Sequence, residues 1–119
     1  MKGIRFEAWR GSHYVTLAEV LARLGDSARE LRWRFECDEQ WDLTAELERR
    51  SEGEGMDTAT LLALVSPGVQ FVDAEATGFA EGGPVVVLTE FDSTLWEVRA
   101  ADERVLAGLR RHYPDAVDL

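Results

Sequence analysis

Residues 84–98 read PVVVLTEFDSTLWEV, and this stretch decides the predicted fold. Val85–Leu88 is a wholly apolar run of three β-branched valines and a leucine, which is typical of a strand that lies centrally in a sheet. The break at Asp92-Ser93, followed by the run Thr94–Val98, predicts a β-hairpin with a two-residue loop. In that register one face of the hairpin holds the core residues, which are Val85, Val87, Phe91, Trp96 and Val98.

The opposite face of this hairpin is predicted to be partly solvated. It carries Glu90, Glu97 and Arg99, with Leu88 and Leu95 between the charges. An acid–base pair of the two glutamates is one interpretation. A charged surface neutralised by nearby arginines is the favoured one, because carboxylate chemistry needs a cleft that the pattern does not indicate.

Outward from the hairpin, alternating apolar residues predict three more strands. They span Lys2–Arg10, Leu31–Cys37 and Val69–Phe79, and the alternation of the last slips around Ala74–Ala76, which predicts a bulge there. Together with the hairpin, these segments predict a mostly antiparallel sheet of about five strands.

The spacing of apolar residues predicts three helices, over Leu17–Leu24, Thr58–Val65 and about Asp102–His112. Thr16 and Glu19 form the pattern of a capping box for the first helix, and Asp57 is a suitable N-cap for the second. Residues 41–50 fit either a strand or a helix, and their many helix-forming residues favour a short helix.

The order of these elements predicts one α+β domain over residues 1–119. Three or four amphipathic helices are available, and packing them on one face of the sheet is the economical arrangement. A chain of 119 residues buries about two thirds of its unfolded surface, so it can hold a core without disulfides. The single cysteine, Cys37, lies on the apolar side of its strand and is predicted to be a buried, inert thiol.

The composition is acidic and narrows the classes of partner. The formal net charge is −10, which argues against binding to a nucleic-acid backbone. No apolar run approaches the roughly 20 residues that cross a bilayer, and the first residues lack the apolar core of a signal peptide. We therefore expect a cytoplasmic protein with no membrane segment.

Motifs for common enzyme chemistry do not occur in the chain. There is no glycine-rich phosphate loop, no dinucleotide-binding fingerprint and no histidine pair at the spacing of metal ligands. His13 and His112 are isolated, and both are interpreted as residues without a catalytic role. These absences favour a non-enzymatic protein and leave an enzyme open as the alternative, and no metal or cofactor is expected.

The most unusual feature is the acid-rich segment Glu36–Asp57. Its nine acids and two arginines give −7 of the total charge of −10. One explanation is a solvated helix face and loop. The other is a docking surface for a basic protein, with Trp41 as a desolvated anchor inside an acidic rim. The candidate partner-binding residues are Asp38, Glu39, Trp41, Asp42, Glu46 and Glu48.

Two stretches resemble those of small bacterial proteins. Lys2–Glu7, KGIRFE, and Phe91–Glu97, FDSTLWE, are similar to a family of unknown function found in Bacillus and its relatives. The second stretch also resembles toxin-immunity and related small α+β proteins, in which an aspartate-serine-aromatic hairpin precedes the terminal helix. The resemblance implies a small bacterial α+β protein and brings no catalytic residue with it.

These observations favour a protein-binding domain, immunity-like, that neutralises a basic partner with its acidic surface. The alternative is a small-molecule-binding protein or enzyme on the open face of the sheet, lined by Trp9, Arg32, Arg34, Glu90 and Glu97. A third interpretation is a homodimer through the sheet, with Leu88 and Leu95 as its apolar seam. A convex acidic patch would favour the first, and a concave pocket with converging polar groups the second.

Overall fold

The computed structural model describes all 119 residues, Met1–Leu119, as an α+β fold with four helices. The strands are β1 Lys2–Glu7, β2 Trp9–Arg10, β3 His13–Tyr14, β4 Arg32–Cys37, β5 Met56–Asp57, β6 Ala74–Ala80, β7 Gly83–Phe91, β8 Leu95–Ala100 and β9 Val117–Asp118. The helices are α1 Leu17–Leu24, α2 Asp42–Arg50, α3 Thr58–Val65 and α4 Glu103–His112, with a short 3₁₀ helix at Gly25–Ala28. None of the helices has the length and apolar content that a bilayer crossing requires.

Seven strands form the main sheet in the order β5-β4-β6-β7-β8-β1-β9, and every neighbouring pair is antiparallel. Strands β2 and β3 pair separately as a small ribbon. The predicted α+β class is confirmed. The sheet has more strands than the expected five because β5 and β9 are only two residues long, which is too short for alternation to reveal.

The helices begin where the capping residues predict. The Thr16 hydroxyl accepts the amide N–H of Glu19 at 3.1 Å, and the Asp57 carboxylate accepts that of Thr60 at 2.7 Å. The capping box at α1 is only half formed, because the Glu19 carboxylate turns away from the amide of Thr16 and binds other side chains. Residues 42–50 are helical, as the helix-forming residues indicated.

The predicted register of the β7–β8 hairpin is wrong by one residue. Phe91 faces Leu95, whereas a two-residue loop would place it opposite Thr94. Asp92 and Ser93 do form the turn, with φ values of 50° and 56°, but the ladder resumes only after Thr94. Thr94 is therefore an additional residue in the loop, and its amide donates to the carbonyl of Phe91 at 2.8 Å.

This one-residue shift turns the side chains of β7 to the opposite face from the one predicted. The core face of the hairpin consists of Val86, Leu88, Glu90, Trp96, Val98 and Ala100. Leu88 is completely buried, so it cannot form a seam on the outer face. Glu90 and Glu97 lie on opposite faces and cannot act as a pair. Val85 still packs partly against the core, since the β6–β7 register shifts between Gly78 and Phe79.

Two predicted strands are shorter than expected. The chain from Val69 to Asp73 is not in a strand, so β6 begins at Ala74, and its irregularity lies at Gly78–Phe79 and not at Ala74–Ala76. The first strand ends at Glu7, and the chain then turns into the β2–β3 ribbon.

The four helices cover one face of the main sheet. Leu21, Leu47, Leu61 and Leu109, one from each helix, join a continuous core of 29 buried residues that includes Trp33. The other face carries no helix, and we call it the open face. Its residues include Arg5, Glu7, Arg32, Arg34, Glu36, Glu75, Thr77, Val87, Thr89, Leu95, Glu97 and Arg99.

Candidate functional site

Four chain segments meet beyond one end of the main sheet. They are residues 8–14, 38–41, 71–73 and 92–94, and we call this region the loop end. The amide of Asp38 donates to the Asp73 carbonyl at 3.4 Å, and the amide of Asp92 donates to the Asp73 carboxylate at 2.8 Å. The amide of Ala8 donates to the carbonyl of Thr94 at 2.8 Å. These bonds hold segments that are distant in sequence side by side.

Three exposed aromatic side chains lie at or beside the loop end. Trp9 is 45% exposed, Trp41 42% and Phe91, the residue before the 92–94 loop, 40%. The Trp9 ring contacts Tyr14 with centroids 5.2 Å apart, and the Trp41 ring lies 6.2 Å from that of the buried Phe71. Each tryptophan is thus supported on one side and open to solvent on the other, which is how rigid contact residues are presented at interfaces.

A buried carboxylate ties the segments of the loop end together. Glu90 is completely buried, and its Oε1 accepts the amides of Asp73 and Ser93, each at 3.2 Å. Its Oε2 accepts the hydroxyl of Tyr14. Burial raises the pKa of Glu90, and burial together with the bond to Glu90 raises the pKa of Tyr14. Glu90 therefore positions three loops at once.

A second carboxylate fixes the β2–β3 ribbon to the helices. Glu19 binds His13 Nε2 at 2.5 Å and accepts the hydroxyl of Tyr113 at 2.5 Å. Burial alone would raise the pKa of Glu19, but the hydrogen bonds from Tyr113 and His13 outweigh it and lower that pKa. These contacts explain why the Glu19 side chain does not complete the capping box, and they give His13 a structural role beside the loop end.

Three of the predicted partner-binding residues are accessible at the loop end or, for Asp42, directly beside it. Asp38, Trp41 and Asp42 are all exposed. Neither aspartate takes part in an ion pair, so both charges face solvent uncompensated. Trp41 fulfils the condition set by the docking hypothesis, which requires an anchor that is exposed in the free protein.

The other three predicted residues are engaged within the fold. Glu39 accepts the amide of Val72 at 2.7 Å, so its carboxylate holds the segment before β6. Glu46 pairs with Arg49 and Arg50, whose hydrogen bonds lower its pKa. Glu48 is half-buried and accepts the Gln40 side chain at 3.4 Å.

Sequence reasoning did not assign four residues to this region, namely Trp9, Asp73, Phe91 and Asp92. Trp9 was expected on the open face, and the prediction that Phe91 lies in the core is wrong, since it is 40% exposed. Asp73 and Asp92 are exposed, and both have positive φ, 54° and 50°, which aspartate adopts more readily than most residues. The signal available in the sequence was an aspartate in the turn next to a strand, with Asp73 before β6 and Asp92 after β7. It could not show that these turns lie beside Asp38.

The lining predicted for a small-molecule site does not converge. Glu90 lies on the core side of the sheet, and Trp9 lies at the loop end. Arg32 and Arg34 donate to backbone carbonyls of the α2–β5 loop, at Gly55 and Gly53, at 2.5 and 2.9 Å. Nowhere do three or more histidine, cysteine or carboxylate side chains form a group that could hold a metal ion.

Comparison of the chain with protein-family models, curated proteins and solved structures finds no significant match. The resemblance to small bacterial immunity-type proteins therefore stays a prediction. Any functional conclusion rests on the residues themselves.

Proposed function

We propose that this chain is a cytoplasmic, non-enzymatic protein-binding domain that docks its loop end onto a basic surface of a partner protein. The mode of action is that of an immunity-type protein, which neutralises its partner by covering it. One observation carries the proposal: the exposed Trp9, Trp41 and Phe91 occur in the same region as four exposed aspartates. These are Asp38, Asp42, Asp73 and Asp92.

The two residue types have different tasks in such an interface. Tryptophan is the residue most enriched among the few side chains that dominate binding energy, because a large ring loses much surface to solvent when it enters a pocket. Charges around it contribute mainly to the association rate and to the choice of partner. Trp41 is such a ring, and the aspartates are the charges around it. We therefore expect a partner that carries lysine or arginine around an apolar pocket.

The scaffold favours binding because it is already ordered. The loops are fixed by Glu90, by the Asp73 contacts and by the bond from Ser93 Oγ to the Phe71 carbonyl at 3.0 Å. Little conformational freedom is left to lose on association, and a preorganised surface binds more tightly than a mobile one of equal area.

The experiment uses a basic partner captured from the source cells and measured by surface plasmon resonance at low and high salt. The double variant Asp38→Lys/Asp42→Lys should slow association about tenfold or more at low salt and flatten the salt dependence. Trp41→Ala should raise the dissociation rate by about 30-fold, as loss of a dominant contact of roughly 2 kcal/mol does.

The matched control is Glu103→Lys, which reverses an exposed acid on α4, in the helical layer. Its partner Lys2 is also exposed, so little stability is lost. We expect this variant to bind as the wild type does. A partner whose kinetics ignore both loop-end variants, or respond equally to Glu103→Lys, would show that the loop end is not the docking surface.

A further inference from the structure

The edges of the main sheet are closed, whereas one of its faces is not. At one edge the outward-facing amide of Phe35 in β4 donates to the Ser51 hydroxyl at 2.7 Å, and β5 pairs with the start of the same strand. At the other edge β9 pairs with β1, and the amide of Leu119 donates to the Gly3 carbonyl at 3.1 Å. Association by strand addition is therefore blocked, and the open face is the part of the sheet left for packing.

The open face is nearly neutral on a strongly acidic chain. It carries four arginines and five acids, a net charge of −1, while the whole chain carries −10. These are Arg5, Arg32, Arg34 and Arg99 with Glu7, Glu36, Asp57, Glu75 and Glu97. Two copies of the chain repel each other over most of their surface, so this face is where close approach costs least.

The pairing of the strands places these residues in two parallel rows. One row crosses the sheet through Glu36, Glu75, Thr89 and Glu97, and we call it the acidic row. On β1 this row ends at Arg5, which is ion-paired with Glu97. The next row on the same face runs through Arg34, Thr77, Val87 and Arg99, and we call it the basic row. On each of the four strands, one member of the acidic row and one member of the basic row are two residues apart.

We propose that a second copy of this chain packs on the open face as a two-fold dimer. The axis lies in the interface, perpendicular to the strands and between the two rows, so that the acidic row of each copy lies over the basic row of the other. Glu36 then faces Arg34 of the second copy, and Thr89 packs on Val87. Glu97 adds no pair across the interface, because it is 7% exposed and its carboxylate accepts hydrogen bonds from Arg5 and Arg99 of its own chain. The same contacts occur twice, as a two-fold interface requires.

The alternative axis, parallel to the strands, gives other contacts. It would keep each row over itself and, if centred on β7, would place Glu75 over Glu97, Glu36 over Arg5 and Arg34 over Gly3 of the second copy. Reversing the charge of Arg34 would then oppose no like charge, so the charge exchange described below distinguishes the two axes. Either axis brings the strands of the two sheets into the aligned arrangement, about 30° apart, that packed sheets adopt. Leu95, half of the seam expected from the sequence, lies on this face, whereas Leu88 does not.

The test is a charge exchange at Arg34 and Glu36, read by sedimentation velocity over a concentration series. The wild type should sediment as a dimer. Arg34→Glu and Glu36→Arg should each sediment as a monomer at concentrations where the wild type is dimeric, since each variant places like charges opposite one another twice. The double variant Arg34→Glu/Glu36→Arg should recover the dimer, because both pairs between residues 34 and 36 are restored with their signs exchanged.

Mixing the two single variants separates this geometry from a folding defect. Each supplies the charge that the other lacks, so an equimolar mixture should form a heterodimer by native mass spectrometry, which misfolded chains could not do. The matched control Arg111→Glu, at an exposed position of α4, should remain dimeric. The proposal is overturned by a monomeric wild type, by single variants that dimerise as the wild type does, or by a double variant and a mixture that both stay monomeric.

Discussion

The bond between Tyr14 and Glu90 offers the sharpest test of the loop end, because it joins a half-buried hydroxyl to a completely buried carboxylate. Tyr14→Phe removes the only donor to Glu90 Oε2 and leaves the two backbone donors to Oε1 in place. Hydrogen bonds to charged groups contribute about 1.5–3 kcal/mol. We expect Tyr14→Phe to lower the free energy of unfolding by that amount at neutral pH.

A double-mutant cycle with Glu90→Gln isolates the charge. The glutamine amide can keep both backbone bonds on its oxygen and donate its N–H to the Tyr14 oxygen, so the charge is lost and a neutral hydrogen bond of reversed direction remains. In that background Tyr14→Phe should cost about 0.5–1.5 kcal/mol, the range for neutral hydrogen bonds. The coupling energy, from urea unfolding of the four proteins, should therefore be about 1–1.5 kcal/mol.

A pH dependence is expected when Glu90→Gln is compared with the wild type. Burial raises the pKa of Glu90 above its ordinary value of 4.5, so the folded protein binds this proton more tightly than the unfolded chain does. The stability that Glu90 contributes is present below its pKa in the unfolded chain. That stability is lost as the pH rises through the raised pKa of Glu90 in the folded protein. The unfolding free energy of Glu90→Gln minus that of the wild type should thus increase as the pH rises from about 4.5 through the raised pKa of Glu90.

Two results would refute this reasoning. A Tyr14→Phe protein within about 0.5 kcal/mol of the wild type would show that the bond does not hold the loop end, since that is the scatter of surface substitutions. A difference between Glu90→Gln and the wild type that falls with rising pH would show that the ionised carboxylate is stabilised where it lies, contrary to the effect of its burial.

The remaining predictions concern the fold and are measured by urea unfolding. Trp96→Ala removes a large core side chain that is 2% exposed and should cost about 3–5 kcal/mol; an unchanged midpoint would contradict its place in the core. Thr16→Ala removes the acceptor for the Glu19 amide and should cost about 1 kcal/mol, whereas Thr16→Ser should keep most of the stability. Gly55→Ala should destabilise strongly, because φ is +80° and the added Cβ would lie 2.5 Å from the Trp33 carbonyl oxygen; a variant as stable as the wild type would show that this loop rearranges freely.

Local sequence signals were sufficient to predict most of the helices and strands. The bounds of α1 and α3 follow from Thr16 and Asp57, because a capping side chain acts within three residues of its own position. The alternation of Leu31–Cys37 correctly predicted which side chains of that strand are buried, since the two faces of a strand differ at every step. Such signals depend only on near neighbours along the chain.

The features that could not be predicted depend on contacts between distant residues. One extra loop residue, Thr94, decided which face of β7 is buried, and no local pattern distinguishes a two-residue loop from a three-residue loop here. Glu90 was therefore placed on the wrong face, although its burial organises the loop end. Trp41 and Asp38 were found because they are neighbours in sequence, whereas Trp9 and Asp92 reach the same region only through the folded sheet.

The loop end and the open face can act in the same molecule because they meet only at Phe91, which ends β7 on the open face opposite Leu95. The loop end lies beyond the ends of the strands, and the open face lies along their length. A two-fold axis perpendicular to the strands reverses strand direction in the second copy, so the two loop ends of the dimer point away from each other. Each would bind its own partner molecule, without the gain in avidity that two sites aimed at one target provide. An Arg34→Glu monomer should therefore bind the basic partner with the same affinity per chain as the wild-type dimer.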